Sequence, residues 1–216
     1  MMAETQTTTM TETQTTMTET RTMEASPAAW ETPRAPAAGG DDGRWTAEDE
    51  ERALVLNRGL AADRYRRGAC LGQGGSARVY KLLRLADGRL LAGKVSGAVA
   101  ELRREAEVLR ALRHDKIVKF VDWHEEAGKP EATTLVTELC AHGTLRSRIK
   151  DASPCLARGE LLLVLRQMGL ALDFLHRQGL WHADLKPGNI LIRGLEPIDV
   201  VLGDSRRRPR PLPLPP

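Results

Sequence analysis

Apolar and polar positions change rhythm several times along the chain. Up to residue 43 no apolar periodicity is present, and a Thr-rich unit recurs instead. Glu4 to Thr11 reads ETQTTTMT, Glu12 to Thr18 reads ETQTTMT, and ETRTM begins at Glu19. A repeat of about seven to eight residues is too short for a solenoid. Such a segment cannot bury enough surface to offset its chain entropy, so residues 1–43 are expected to be a disordered tail. Thr46-Ala-Glu-Asp49 matches a capping-box pattern and predicts a short helix over about 47–57, within a linker spanning 44–63. At Tyr65 the pattern becomes strand-like. Runs at 65–71 and 77–85 flank a glycine cluster, Ala86-Asp87-Gly88 is a turn signal, and Leu90 to Val95 reads as a third strand. Val99, Leu102, Ala106 and Leu109 then form one apolar helical stripe. Ile117 to Trp123, a Gly128-Lys129-Pro130 turn and Thr133 to Thr137 predict a second hairpin. Leu161, Val164, Leu165, Met168, Leu172 and Leu175 mark a long amphipathic helix stopped by Gly179. Two short strand-like runs, 190–192 and 199–202, close the patterned part. The order β-β-β-α-β-β-α-α-β-β makes the fold class α+β rather than alternating βαβ.

Composition narrows the function classes. The net charge of +3 is too small to argue for nucleic acid or an anionic membrane. It is also uneven: residues 1–43 hold seven acidic and two basic side chains, net −5, and the rest of the chain carries +8. No uncharged apolar run approaches the roughly 18–20 residues of a spanning helix. Glu4, Glu12 and Glu19, with no Lys or Arg in the first twenty residues, argue against a secretory or mitochondrial leader. Cys70, Cys140 and Cys155 are an odd number without metal-ligand spacing and read as reduced thiols, which suits the cytoplasm or nucleus. With four Trp, two Tyr and two Phe, the core must be built from Leu and Val.

Three places carry candidate chemistry. Gly72-Gln-Gly74-Gly75-Ser76-Ala77-Arg-Val79 lies between two strands, where glycines let backbone N–H groups approach phosphate oxygens. It is not a P-loop, because no GK[ST] follows and a strand comes next. Lys94 sits in the apolar strand Leu91-Ala-Gly-Lys-Val95, where a lysine is costly unless paired. On the following helix Glu105 lies about 60° from Leu102 and Glu107 about 140° away, so Glu105 is the acid placed to meet Lys94. The third is Trp181-His182-Ala183-Asp184-Leu185-Lys186-Pro187-Gly188-Asn189. An Asp, a Lys two residues on and an Asn five residues on converge in one loop. They can accept a hydroxyl proton, neutralise a transferring phosphoryl group and hold Mg²⁺.

On these residues the chain resembles the eukaryotic protein kinase family from about Tyr65 to Asp204. Gly72, Gly74 and Val79 match its Gly-rich loop, Lys94 its phosphate lysine and Glu105 that lysine's helix partner. His182, Asp184, Lys186 and Asn189 match the catalytic loop in its Ser/Thr-specific form. The resemblance implies a five-stranded N-lobe with one helix at about 64–137, a hinge at 138–143 and an incomplete helical C-lobe at 144–204. It further implies an ATP site formed by Leu71, Gly72, Gly74, Val79, Ala92, Lys94, Thr137 as gatekeeper, and the backbone of Glu138 and Cys140. Asp184, Lys186, Lys94 and Glu105 would be catalytic, and Asn189 with Asp204 would bind Mg²⁺. The partners implied are ATP and a protein with a Ser or Thr hydroxyl, with no nucleic acid and no membrane.

The chain also departs from the family. Ala77 stands at the third loop glycine, and Ala183 replaces the Arg before the catalytic Asp. That Arg pairs with a phosphorylated activation segment in the family, so its loss argues against that switch. Ser205 and Arg206 stand where Phe and Gly are usual, and the resemblance stops there. Residues 205–216 are Arg- and Pro-rich, with no helix or strand pattern, and are expected as polyproline II or disorder. Arg210, Pro213 and Pro216 fit an SH3-ligand spacing, a weak pattern that short Pro-rich runs match by chance. The expectation is a Ser/Thr protein kinase incomplete at its C-terminus and poor in transfer. The alternative is an inactive fragment that binds nucleotide or a partner. A small-molecule phosphotransferase is disfavoured by the Gly-rich loop and Lys186-Pro187.

Overall fold

A computed structural model describes residues 44–56, 64–74, 77–126, 129–151, 156–203 and 208–209, all within one unit of the chain, Ala35–Pro216. Helix α1 (Ala47–Leu56) precedes strands β1 (Tyr65–Gln73), β2 (Ala77–Arg84) and β3 (Leu90–Ser96). Helix α2 (Val99–Ala111) leads to β4 (Phe120–Glu126) and β5 (Lys129–Glu138). These strands form one antiparallel five-stranded sheet in the order β1-β2-β3-β5-β4. The expected Thr-rich tail and most of the Arg/Pro-rich tail lie outside the described residues.

Period-two alternation gives the sheet two faces. One carries Leu135, against which Leu102, Ala106 and Leu109 of α2 are buried. The other has its own small core of Tyr65, Leu82, Leu91 and Val136. Burial and a 2.7 Å hydrogen bond from the Tyr65 hydroxyl to Asp122 push the phenol pKa up to about 12. The α2 stripe buries three of its four expected positions, and Val99 is half-buried.

Beyond the sheet lie α3 (Leu145–Asp151), α4 (Arg158–Arg177), the two-residue strand β6 (Leu180–Trp181) and the hairpin β7 (Ile190–Leu195) with β8 (Ile198–Leu202). Helix α4 starts three residues before the expected Leu161. Glu160 caps it by accepting the Ala157 N–H at 2.7 Å. It ends as expected at Gly179, whose φ of +70° is the left-handed cap that glycine adopts without Cβ strain. Its buried face keeps Val164, Met168 and Leu175 of the expected stripe, with Leu172 half-buried against the core, and adds Gln167 and Ala171. Leu161 and Leu165, by contrast, are exposed. Gln167 joins that face through two strand groups: its Nε2 donates to the Ile198 carbonyl and its Oε1 accepts the Val200 N–H, each at 2.9 Å.

Two other expectations shift. β4 begins at Phe120 rather than Ile117, because the Val118 N–H donates to the Leu202 carbonyl at 3.1 Å and draws this segment to β8. Lys129 and Pro130 already belong to β5 rather than to a turn, and Gly128 is outside the described residues. In the C-terminal segment expected to lack strand, Arg208–Pro209 forms a short strand, β9, antiparallel to β6. No described helix is long and apolar enough to cross a membrane.

Candidate active site

The glycine cluster is the tip of the β1–β2 hairpin. Gly72 faces Val79 and Gln73 faces Arg78 in the ladder, and the Gly74 N–H donates to the Ala77 carbonyl at 2.8 Å. Leu71, expected to line the site, is the extra residue of an irregularity between Cys70 and Gly72, and its side chain is exposed. Nothing lies within 4 Å of a Cβ built on Gly72, so open space adjoins the backbone there.

Across β2, β3 and β5 the register stacks the other expected residues. Val79 opposes Lys94, and Lys94 opposes Leu135; Ala92 opposes Thr137. By alternation Val79, Ala92, Lys94 and Thr137 share one face, the face on which α2 packs. There the Lys94 ammonium meets the Glu105 carboxylate at 2.8 Å, with the two side chains 22% and 11% exposed. Burial on this strand gives the lysine a reason to be paired, and the helical spacing from Leu102 puts Glu105 in reach.

Glu138 and Cys140 follow β5. The Glu138 N–H donates to the Lys119 carbonyl at 3.0 Å, and its carboxylate accepts the Lys119 N–H at 2.9 Å. Glu138 lies opposite Leu91, so its side chain leaves the face of Ala92 and Lys94. It contributes instead to an ionic node on Arg193, which binds Asp199 at 2.7 Å, Asp115 at 3.1 Å and Glu138 at 3.8 Å. The bonds to Asp199 and Asp115 raise the Arg193 pKa above its already high value. The Cys140 thiol packs against the core, and burial first, then the Glu138 charge, pushes its pKa up to about 12. Cys140 is therefore an inert thiol rather than a nucleophile. Cys70 and Cys140 are both free, and Cys155 lies outside the described residues.

The segment from His182 to Asn189 folds on itself. The Asp184 carboxylate accepts the Lys186 ammonium at 2.7 Å and the Asn189 amide at 3.2 Å. The same amide donates to the Asp184 carbonyl at 2.8 Å. Buried His182 contacts the Gly203 carbonyl through Nε2 at 3.0 Å, and the Gly203 N–H donates to the Asn189 carbonyl at 2.8 Å. The loop is thus tied at both ends to the residue after β8. Ala183 has φ of +60°, a left-handed conformation that costs a non-glycine residue about 1–2 kcal/mol and is held by these neighbours. Both of these hydrogen bonds of the Asn189 carboxamide use Nδ2, so Oδ1 is the atom through which Asn189 could hold a hard cation. The other expected ligand, Asp204, lies outside the described residues. No group of three or more His, Cys, Asp or Glu suited to a metal occurs among the described residues.

The protein kinase domain model matches residues 65–204. The chain belongs to the protein kinase family. Inhibitor of nuclear factor kappa-B kinase subunit epsilon from Mus musculus is 38% identical over 129 residues, 56% of this chain and 18% of that protein. CBL-interacting protein kinase 30 from Oryza sativa subsp. japonica is 33% identical over 137 residues, 60% of this chain and 28% of its own length. Smooth muscle myosin light chain kinase from Gallus gallus is 30% identical over 156 residues, 70% of this chain and 8% of that protein. This kinase chain therefore spans less than a third of the length of each of these relatives.

Two groups escaped the sequence reading. Asp49 of α1 and Lys81 of β2 form a buried ion pair at 3.0 Å. A signal for it was present, since Lys81 interrupts an apolar strand as Lys94 does. The Arg193 node had little local signal: Asp199 is its neighbour across the β7–β8 hairpin, but Asp115 and Glu138 come from distant segments.

Proposed function

We propose that the chain is a Ser/Thr protein kinase domain that transfers the γ-phosphate of ATP to a protein hydroxyl. The observation that carries this reading is the Asp184 carboxylate, held by Lys186 at 2.7 Å and Asn189 at 3.2 Å in a loop anchored through buried His182. In that position Asp184 accepts the proton of the Ser or Thr hydroxyl as its oxygen attacks the γ-phosphorus. The bond from that phosphorus to the bridging β–γ oxygen breaks, and ADP leaves. Lys186 neutralises charge on the transferring group, and Lys94, oriented by Glu105, binds the α- and β-phosphates. Gly72 and Gly74 offer backbone to the phosphates. Leu71, Val79, Ala92 and Thr137 surround the adenine, which bonds the backbone of Glu138 and Cys140. Asn189 Oδ1 and Asp204 would hold Mg²⁺, which supplies charge neutralisation across the phosphates when bound.

The domain limits that go with this reading are a sheet lobe at 64–137, a hinge at 138–143 and a helical part at 144–204. With Ala183 where the family has Arg, activity does not depend on a phosphate paired at that position. The half-buried Cys140 thiol, reduced and unpaired with another cysteine among the described residues, suits a cytoplasmic or nuclear protein.

A second reading, a catalytically inactive fragment that binds nucleotide or a partner, is favoured by one observation. Leu161, Leu162, Leu163, Leu165 and Leu170 of α4 are exposed. Each forgoes part of the roughly 1.5–3 kcal/mol that full burial of a leucine supplies. The test is Mg-ATP-dependent phosphorylation of a generic Ser/Thr substrate by the 216-residue chain beside an Asp184→Asn control. Turnover that disappears in the control supports the kinase reading. Nucleotide binding without Asp184-dependent turnover supports the second.

A further inference from the structure

We propose that Asp49, reaching from α1 to β1 and β2, is a positioning residue for the glycine hairpin. Its carboxylate pins the distorted turn of β1 at Ala69 and so sets where Gly72 and Gly74 meet the phosphates of ATP. The inference rests on the nucleotide-binding reading above.

Each carboxylate oxygen has its own task. Oδ2 accepts the Thr46 N–H and the Thr46 hydroxyl, each at 3.0 Å, and the Asp49 N–H returns to Thr46 Oγ1 at 3.2 Å. This is the helix cap that the Thr46–Asp49 pattern predicts. Oδ2 also accepts the Lys81 ammonium at 3.0 Å, which donates in turn to the Arg44 carbonyl at 2.8 Å. Oδ1 is turned to the sheet and accepts the Ala69 N–H at 2.7 Å. A helix cap needs neither Lys81 nor Ala69.

The Ala69 contact falls where β1 leaves the ladder. Pairing with β2 is irregular between Arg67 and Cys70, and again between Cys70 and Gly72. Such bulges bend a strand and leave a backbone group without its ladder partner. Asp49 accepts that group, so the bend is fixed by a side chain from another element. The fit is close: a Cβ on Gly68 would lie 2.6 Å from Asp49 Oδ1. Glu50 adds a second tie, pairing with Arg66 of β1 and accepting the Trp45 indole N–H at 2.8 Å.

The location gives the contact its bearing on nucleotide. Lys81 opposes Ala92, and Val79 opposes Lys94. Lys81 therefore points to the same sheet face as Val79, Ala92 and Lys94. The pinned Ala69 is three residues before Gly72 on one arm of the hairpin, and Lys81 is two residues after Val79 on the other. Both arms are held at one depth by one carboxylate. Ion pairs this buried contribute little net stability over apolar side chains of equal volume. What the pair adds is direction.

The test uses the 216-residue chain, Asp49→Asn, Gly68→Ala and the double variant Asp49→Leu/Lys81→Met. Calorimetric titration measures binding of Mg-AMP-PNP and of adenosine, which lacks the phosphates, beside a thermal melt. Replacing the buried pair by apolar volume is often neutral for folding, so the double variant reports on position even where a single variant melts early. The expected result is Mg-AMP-PNP binding weakened about tenfold, with adenosine binding within about twofold of wild type. Equal affinities in all variants overturn the proposal. Parallel loss for both ligands, or an unfolded double variant, makes the carboxylate a group that merely holds the fold and also overturns it. A wild-type chain that binds neither ligand overturns the nucleotide reading itself, and this inference with it.

Discussion

Lys81 and Lys94 stand on adjacent strands, point to the same face of the sheet and each meet a carboxylate supplied by a helix. Their surroundings differ. The Lys81–Asp49 pair is 1% exposed on both sides, and Asp49 also accepts two backbone N–H groups. The Lys94–Glu105 pair is 22% and 11% exposed. A lysine sealed in this way cannot reach a ligand; it can only hold protein against protein. A lysine left partly open can be reached by an incoming phosphate, and its carboxylate serves to aim it. The same residue types thus serve two ends, decided by solvent access.

The largest expected effect that separates the two pairs is on stability. Asp49→Ala strands a buried ammonium and two backbone donors and is expected to cost about 3–5 kcal/mol. Lys94→Met should cost less, about 1–3 kcal/mol, since water reaches Glu105. Denaturant unfolding of both variants checks the order, and equal losses would erase the distinction. Activity should run the other way. Lys94→Met is expected to reduce transfer about a hundredfold or more, because it removes a charge that meets the reacting phosphates. Steady-state rates with Mg-ATP check this, and an unchanged rate would remove Lys94 from the site.

Acid sharpens the comparison further. Burial opposes ionisation of Asp49, but bonds from Thr46, Ala69 and Lys81 outweigh it and lower its pKa below 3.8. A carboxyl depressed on folding adds stability that is fully present above the unfolded value and lost as pH falls through the folded one. Unfolding midpoints should therefore drop below about pH 4 in wild type, and the Asp49→Leu/Lys81→Met chain should lack that component. The smallest effect is expected at Arg177–Asp173, an i,i+4 pair on α4 with both side chains well exposed. Asp173→Ala should change stability by less than about 0.5 kcal/mol, within reach of a careful melt.

Much of the fold was legible because its signals are local. The strands around the glycine cluster, the α2 stripe and the Gly179 stop follow from period, turn chemistry and capping. The face of α4 was legible at Val164, Met168, Leu172 and Leu175 but not at Leu161 and Leu165, which are exposed. Gln167 is buried there through its bonds to Ile198 and Val200, partners that no local window contains. The start of β4 was misread for a related reason: Val118 follows Leu202, a partner no local window contains. At the candidate site, Lys94 and Glu105 could be paired from strand and helix periodicity. The Asp184 loop was legible from residue types at short spacing. Leu71 was assigned to the nucleotide by the family resemblance alone; it is the extra residue of a bulge, and its side chain is exposed. Asp204 lies outside the described residues. Asp49 was read for its cap alone, because its second partner is 32 residues away.

The ionic node on Arg193 has a consequence for the order in which the chain acquires its structure. The neighbouring bond from Lys116 to Asp199 spans 83 residues, whereas Lys94 to Glu105 spans 11. Closing the longer loop costs about 2 kcal/mol more chain entropy. The node should therefore form after the barrier, once the β7–β8 hairpin has docked. An Arg193→Met chain should then refold at nearly the wild-type rate and unfold faster, so the node acts as a brake on the return journey. A stopped-flow chevron that slows in its folding arm instead would move the node to the early steps.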